Sequence, residues 1–119
     1  MEHFFIRATE KGFAFCLRSA NGQSIATSEC YATEAACRRG VESVRVNAAA
    51  PVEDLTAVPP QTLSNPKYQL YRDRQGQFRF RLRARNGRII AVSQAYRSKA
   101  ACLEGIDSVR VNAGEDSMP

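Results

Sequence analysis

The sequence predicts an α+β domain: two tandem β3-α(-β) repeats related by a pseudo-two-fold axis, with an antiparallel sheet covered by two helices. Three observations predict it. The second half of the chain restates the first, one segment alternates apolar and basic residues with period two, and two later segments carry apolar residues at helical spacing. Aligned at an offset of 65, residues 13–48 match residues 78–113 at 20 of 36 positions, and Ser43-Val44-Arg45-Val46-Asn47-Ala48 recurs unchanged as Ser108-Val109-Arg110-Val111-Asn112-Ala113. Two copies of one unit mean a tandem duplication rather than a solenoid.

Within each copy the elements follow in order. A short first strand is expected near Phe4 to Ala8 and again near Tyr68 to Arg72, with a one-residue gap before Phe13 in the alignment. Strand two is clearest at Phe78, Phe80, Leu82 and Ala84, which alternate with Arg79, Arg81, Arg83 and Arg85. Such alternation marks one buried and one wet face. Asn21-Gly22 and Asn86-Gly87 then mark hairpin turns, since both residue types tolerate positive φ. A three-residue bulged turn sets Ile90 opposite Leu82 and Val92 opposite Phe80, which keeps both on the dry face.

A helix closes each copy, with Thr33 and Ser98 as N-caps. Cys37, Val41 and Val44, like Cys102, Ile106 and Val109, fall at i, i+4 and i+7, the spacing of a buried stripe. Asn47 and Asn112 suit a left-handed C-cap. Gly40 and Gly105 lie mid-helix, where glycine costs about 1 kcal/mol relative to alanine, so both are read as points of close packing. One domain therefore spans residues 1–119: repeat one at 3–48, a proline-containing connector at 49–66 with a short strand at 52–56, repeat two at 67–113, and a tail at 114–119. Each unit alone is near the lower limit for independent folding and leaves an open strand edge, so the two halves are expected to share one interior.

Composition excludes several function classes. An apolar fraction of 44% with 24% charge is that of an ordinary globular chain, and no apolar run approaches the roughly 20 residues needed to cross a bilayer. The amino-terminal residues do not read as a secretory signal, so the expected location is the cytoplasm and the expected state a monomer with internal pseudo-symmetry. His3 is the single histidine, which leaves no material for multi-histidine metal sites or most triads. Cys16, Cys30, Cys37 and Cys102 form no Cys-x-x-Cys pair. Phosphate-loop, dinucleotide and hydrolase motifs are lacking, so no cofactor, no metal and no catalytic residue is assigned, and the chain is read as a non-enzyme, with an enzyme kept as the least favoured alternative.

Phe78-Arg79-Phe80-Arg81-Leu82-Arg83-Ala84-x-Asn86-Gly87, then Ile90-Ala91-x-Ser93-x-x-Tyr96, then Gly105-Ile106-x-Ser108-Val109, resemble the bacterial YegP-like proteins of uncharacterised function. That resemblance implies a β3-α-β unit, in tandem or as two subunits, assembled into one sheet by exchange of last strands. It makes Val52 to Thr56 the exchanged strand of copy one. It carries no activity, cofactor or active site.

Charge supplies the functional hint. Residues 1–60 hold 6 basic and 7 acidic side chains, whereas residues 61–119 hold 11 basic and 5 acidic. The excess centres on Arg79, Arg81, Arg83, Arg85 and Arg88, read as a polyanion-binding stripe with nucleic acid as the leading partner. Tyr71 is placed beside it as a stacking residue. The competing readings are a protein-interaction or structural module, or a merely solubilising face whose arginines pair with Asp73, Glu104 or Asp107. Cys37 and Cys102 are read as buried, and Cys16, on the wet face, as the thiol most open to reaction. Ser28 with Tyr31, and Ser93 with Tyr96, are read as fixing the strand-to-helix junction by hydrogen bonds.

Overall fold

The computed structural model describes residues 3–116. Seven strands and two helices follow the chain: β1 (Phe4–Thr9), β2 (Gly12–Arg18), β3 (Ser24–Thr27), α1 (Glu34–Asn47), β4 (Val52–Asp54), β5 (Lys67–Arg72), β6 (Phe78–Arg83), β7 (Ile89–Ser93) and α2 (Lys99–Asp116). All seven strands join one sheet in the order β1-β2-β3-β7-β6-β5-β4. Equivalent strands pair alike in the two halves: Phe4 faces Leu17 as Tyr68 faces Leu82, and Leu17 faces Ala26 as Leu82 faces Ala91. β3 and β7 pair antiparallel at the middle, so the two halves meet strand to strand.

The expectation of an antiparallel sheet needs correction, because the sheet is mixed. β4 pairs parallel to β5, with Val52 facing Tyr68 and Asp54 facing Leu70. After α1 the chain drops directly to the far edge beside the start of the second half, and this short connection sets the direction of β4. The strand ends at Asp54 rather than Thr56. There the Asp54 carboxylate accepts from both the Thr56 N–H (2.8 Å) and hydroxyl (2.6 Å), which turns the chain out of the ladder.

Both helices lie on the face that carries Phe15, Leu17, Phe80 and Leu82. α1 packs on β1, β2, β6 and β7, and α2 on β2, β3 and β6, so each helix touches strands from both halves. A single cluster of buried side chains joins Phe15, Leu17 and Val41 to Leu70, Phe80 and Ile106. The helical stripes are buried as spaced, and the Thr33 and Ser98 hydroxyls accept the Ala36 and Ala101 N–H groups at 3.1 Å. Gly40 and Gly105 sit where the Tyr31 and Tyr96 rings cross the helix. A Cβ there would stand 2.7 or 2.8 Å from a tyrosine ring carbon and 3.0 or 3.1 Å from Phe15 or Phe80.

Two local expectations fail for physical reasons. The bulged turn forms, with the Gly87 N–H donating to the Ala84 carbonyl and Gly87 at φ +87°, yet Ile90 does not face Leu82, nor Val92 Phe80. A second irregularity between Leu82 and Arg83 sets Leu82 opposite Ala91 and Arg81 opposite Val92. The extra residue allows Ile90 and Ala91 both to be buried. Asn47 and Asn112 are not left-handed caps, since no residue other than glycine has positive φ among the described residues. Their amides instead donate to the Ser43 and Ser108 carbonyls at 2.8 Å, four residues back on the same helix. α2 runs on to Asp116, into the segment expected as tail, and residues 117–119 lie outside the described range.

Candidate functional site

Among the described residues, no helix lies on the outer face of the sheet. Alternation along β6 puts Arg79, Arg81 and Arg83 there, half-buried, while Phe78, Phe80 and Leu82 face the core. β5 sets Tyr71, Gln69 and Lys67 directly opposite them in register. Arg79 donates through Nε to Asp73 Oδ2 at 2.9 Å, a carboxylate also held by the Gln75 and Gln77 N–H groups. The Arg79 hydrogen bond together with those N–H groups holds the Asp73 carboxyl below its ordinary value. That arginine is neutralised in place.

Arg81 and Arg83 are arranged differently. Both donate through Nε to the same atom, Gln69 Oε1, at 2.8 and 2.6 Å, and neither pairs with a carboxylate among the described residues. Arg83 also donates to the Gly87 carbonyl at 2.7 Å, and the Arg81 guanidinium lies 4.9 Å from the centre of the Tyr71 ring. The orientation of Gln69 is fixed from behind. Its Nε2 donates to Glu53 Oε1 at 2.8 Å, which turns the amide oxygen toward the arginines.

Glu53, on β4, is 2% exposed and is the anchor of this network. Its other oxygen accepts from Lys67 Nζ (2.7 Å) and the Leu63 N–H (2.6 Å), so the connector folds over the edge of the sheet to cover it. Burial alone raises the carboxyl pKa. The Leu63 N–H, the Lys67 ammonium and the Gln69 amide outweigh that effect and lower it to about 2. Sequence alone gives no signal for Glu53 and Gln69, because neither belongs to a motif and their contact spans 16 residues across the connector.

The five arginines expected to act together are thus divided. Arg79, Arg81 and Arg83 share the outer face. Arg85 is exposed in the turn and makes no ion pair among the described residues. Arg88 turns away, donating to Glu29 Oε1 at 2.6 Å and lying over the Tyr31 ring. Tyr71 takes the place expected for it, on the arginine face. In the first half the matching outer positions hold Ala14, Cys16 and Arg18, and Arg18 stacks 4.5 Å over the exposed Phe5 ring.

All four cysteines are free. Cys30 is the exposed one and Cys16 is half-buried, which corrects the expectation that Cys16 is the most open thiol. Burial pushes the Cys102 thiol up to about 11 and raises Cys37 as well. Ser28 Oγ and Ser93 Oγ accept the Phe15 and Phe80 N–H groups at 2.9 Å, replacing a strand partner in the core ladder. No group of three or more histidine, cysteine or acidic residues among those described is placed to hold a metal ion. Among the described residues no helix is long and apolar enough to cross a membrane.

Comparison with known proteins places this architecture. The family described as a domain of unknown function (DUF1508) matches twice, at residues 8–54 and 73–118. A UPF0339 protein of Treponema denticola is 60% identical over 52 residues, which cover 44% of this chain and 90% of that one. The UPF0339 protein YegP of Escherichia coli O6:H1 is 34% identical over 112 residues, 94% of this chain and 89% of the relative. Among solved structures, the solution structure of a UPF0339 protein from Shewanella oneidensis superposes with a TM-score of 0.73 at 29% identity, covering 93% of this chain and 83% of that one. The solution structure of Escherichia coli yegP, a protein of unknown function, gives a TM-score of 0.72 at 29% identity over 94% of this chain and 87% of that one. The chain therefore belongs to the YegP-like family defined by this domain of unknown function.

Proposed function

We propose that the chain is a cytoplasmic binding module, one domain of two pseudo-two-fold-related repeats, that takes a polyanion on the outer face of its sheet around Arg81 and Arg83. A single observation carries this reading: two guanidinium groups are held by one neutral amide oxygen, with no carboxylate paired to them among the described residues. Because each is fixed through Nε, the guanidiniums stay oriented: Arg81 keeps both terminal nitrogens available, and Arg83, whose Nη1 donates to the Gly87 carbonyl, keeps Nη2. That fork fits phosphate with two parallel hydrogen bonds. Like charges on alternate residues of a strand, about 7 Å apart, repel by about 0.6 kcal/mol in a water-like dielectric, and an anion lying between them reverses the sign. Arg85 extends the line at the turn, and Tyr71 supplies a ring on which a base can stack. Nucleic acid is the leading ligand.

The test is titration with a labelled single-stranded oligonucleotide at several salt concentrations. Binding is expected to weaken with salt, with a log–log slope near −0.7 per phosphate contacted. Replacing Arg81 and Arg83 together by glutamine is expected to abolish it; unchanged affinity in that variant discards the outer-face reading.

A second reading, a protein-interaction module, has its own observation. Among the described residues β1 pairs with β2 alone, whereas its counterpart β5 also holds β4. Arg110 donates to the Ala50 carbonyl beside β4 at 2.7 Å, while its counterpart Arg45 hydrogen-bonds only to Glu42 among the described residues. An extended segment of a partner, added parallel to β1, fits that edge and places a carbonyl on Arg45. Salt-tolerant complexes that survive nuclease treatment and are lost when a proline replaces Ile6 favour this reading over the first.

A further inference from the structure

Two cavities lie on the helix side of the sheet, away from the arginine face. Each forms where the tyrosine and helix of one half meet the hairpin of the other. The first, about 380 Å³, is lined by Tyr31, Arg39 and Ser43 from the first half and by Ala84, Asn86 and Arg88 from the second. The second, about 200 Å³, is lined by Tyr96, Glu104 and Ser108 together with Ser19, Gln23 and Ile25. Many of these positions correspond at the offset of 65: Tyr31 with Tyr96, Ser43 with Ser108, Ala84 with Ser19. Two of the differences change the charge. Arg39 stands where the other cavity has Glu104, and Arg88 where it has Gln23. One cavity wall thus carries two cations and no acid, and its counterpart one acid and no cation.

We infer that the first cavity is a site for a small anionic ligand, a phosphate or carboxylate borne on a compact carbon skeleton. Its polar lining is rich in donors. Arg39 has no ion-pair partner and the Tyr31 hydroxyl no hydrogen bond among the described residues. The Asn86 side-chain oxygen already accepts the Arg88 N–H at 2.9 Å, which leaves its amide N–H groups to donate. Burial raises the Tyr31 pKa, so the hydroxyl keeps its proton to give. Arg88 is poised over the Tyr31 ring at 5.8 Å, and its Nε and one terminal nitrogen meet the same oxygen of Glu29 at 3.2 and 2.6 Å. Glu29 and Arg88 are 51% and 60% exposed, and solvent screening leaves such surface pairs weak, so a bound anion competes with Glu29 at little cost. The volume falls in the range of small-molecule sites, roughly 300–1,000 Å³, and exceeds what one phosphate fills. Ala36, Ala84 and Ile90 supply the apolar wall for the remainder.

The test uses two probes, inorganic phosphate and phenyl phosphate, titrated into the isotope-labelled full chain and followed by amide chemical shifts. Both are expected to give saturable shifts at Tyr31, Gly40, Asn86 and Arg88, tighter for phenyl phosphate. The counterpart amides of Tyr96, Gly105, Asn21 and Gln23 are expected to stay still. Arg39→Glu combined with Arg88→Gln installs the residues that the second cavity already accommodates, and it is expected to weaken binding by at least about tenfold. The variant with Arg81 and Arg83 replaced by glutamine is expected to retain these shifts, which separates this site from the outer face. Equal shifts at both cavities, unchanged affinity in the Arg39/Arg88 variant, or no saturable shift with either probe would overturn the inference.

Discussion

Gly105→Ala inverts the usual rule for helices. At an exposed helical site the change gains about 1 kcal/mol of stability, because alanine has the higher helix propensity. Here the added Cβ falls 2.8 Å from the Tyr96 ring carbon that bears the hydroxyl and 3.1 Å from Phe80. Ordinary carbon contacts lie at 3.5–4.0 Å, so the ring must retreat by roughly 1 Å. It is stacked against Phe80, with centroids 6.4 Å apart and planes 16° from parallel, and Phe80 is fully buried. Overpacking of this kind costs about 1–3 kcal/mol. Taking the upper end, the net loss is about 2 kcal/mol, or roughly 8 °C in Tm for a chain of this size. Urea unfolding followed by circular dichroism measures it. Gly40→Ala provides an internal replicate, since its Cβ meets Tyr31 and Phe15 at 2.7 and 3.0 Å. The two losses are expected to agree within about 0.5 kcal/mol, and Tyr96→Phe in the Gly105→Ala background is expected to recover about 1 kcal/mol through coupling. A Gly105→Ala protein as stable as the parent, or more so, refutes the close-packing argument.

Other outcomes follow from the same geometry. Ser93→Ala removes the acceptor of the Phe80 N–H and is expected to destabilise by about 1–3 kcal/mol, as is Ser28→Ala for Phe15, both read by denaturant midpoint. Glu53 has a folded-state pKa lowered from 4.5 to about 2. Its contribution is therefore fully present above pH 4.5 and is lost as pH falls toward 2, about 3 kcal/mol in all. Glu53→Gln is expected to be less stable at pH 7 and to show a flatter acid limb over that window; an unaltered acid limb contradicts the assignment. In thiol labelling of the native protein Cys30 is expected to react first and Cys16 more slowly, while Cys37 and Cys102 react only on unfolding.

Much of the architecture was legible because it depends on local pattern. The alternation of Phe78 to Ala84 and the stripes at Cys37, Val41 and Val44 each need only their own segment to be recognised, and the structure keeps them. The recurrence of the sequence pattern added a consistency check, since the same turn, cap and glycine had to serve twice. What escaped was non-local or a contest between near-equal options. The extra residue at Ile90 satisfies core packing, which parity counting ignores. The asparagines chose a helical carbonyl over a left-handed cap. The parallel seat of β4 depends on where the second half begins, and Glu53 becomes an anchor only once the connector brings Leu63 onto it. The arginine stripe illustrates the limit most clearly. Alternation predicts which side the guanidiniums share, but only the fold shows that Asp73 neutralises one, Gln69 holds two, and Arg88 leaves for Glu29.

Whether the halves share one interior is decided by native-state hydrogen exchange on Phe80→Ala. Truncating this fully buried ring is expected to cost about 3–5 kcal/mol. With helices that bridge both sets of strands, the slowest amides of β2 and α1 lose as much protection as those of β6 and α2. Loss confined to residues 67–113, with the first half protected as in the parent, contradicts a common core and with it the reading of this chain as one domain.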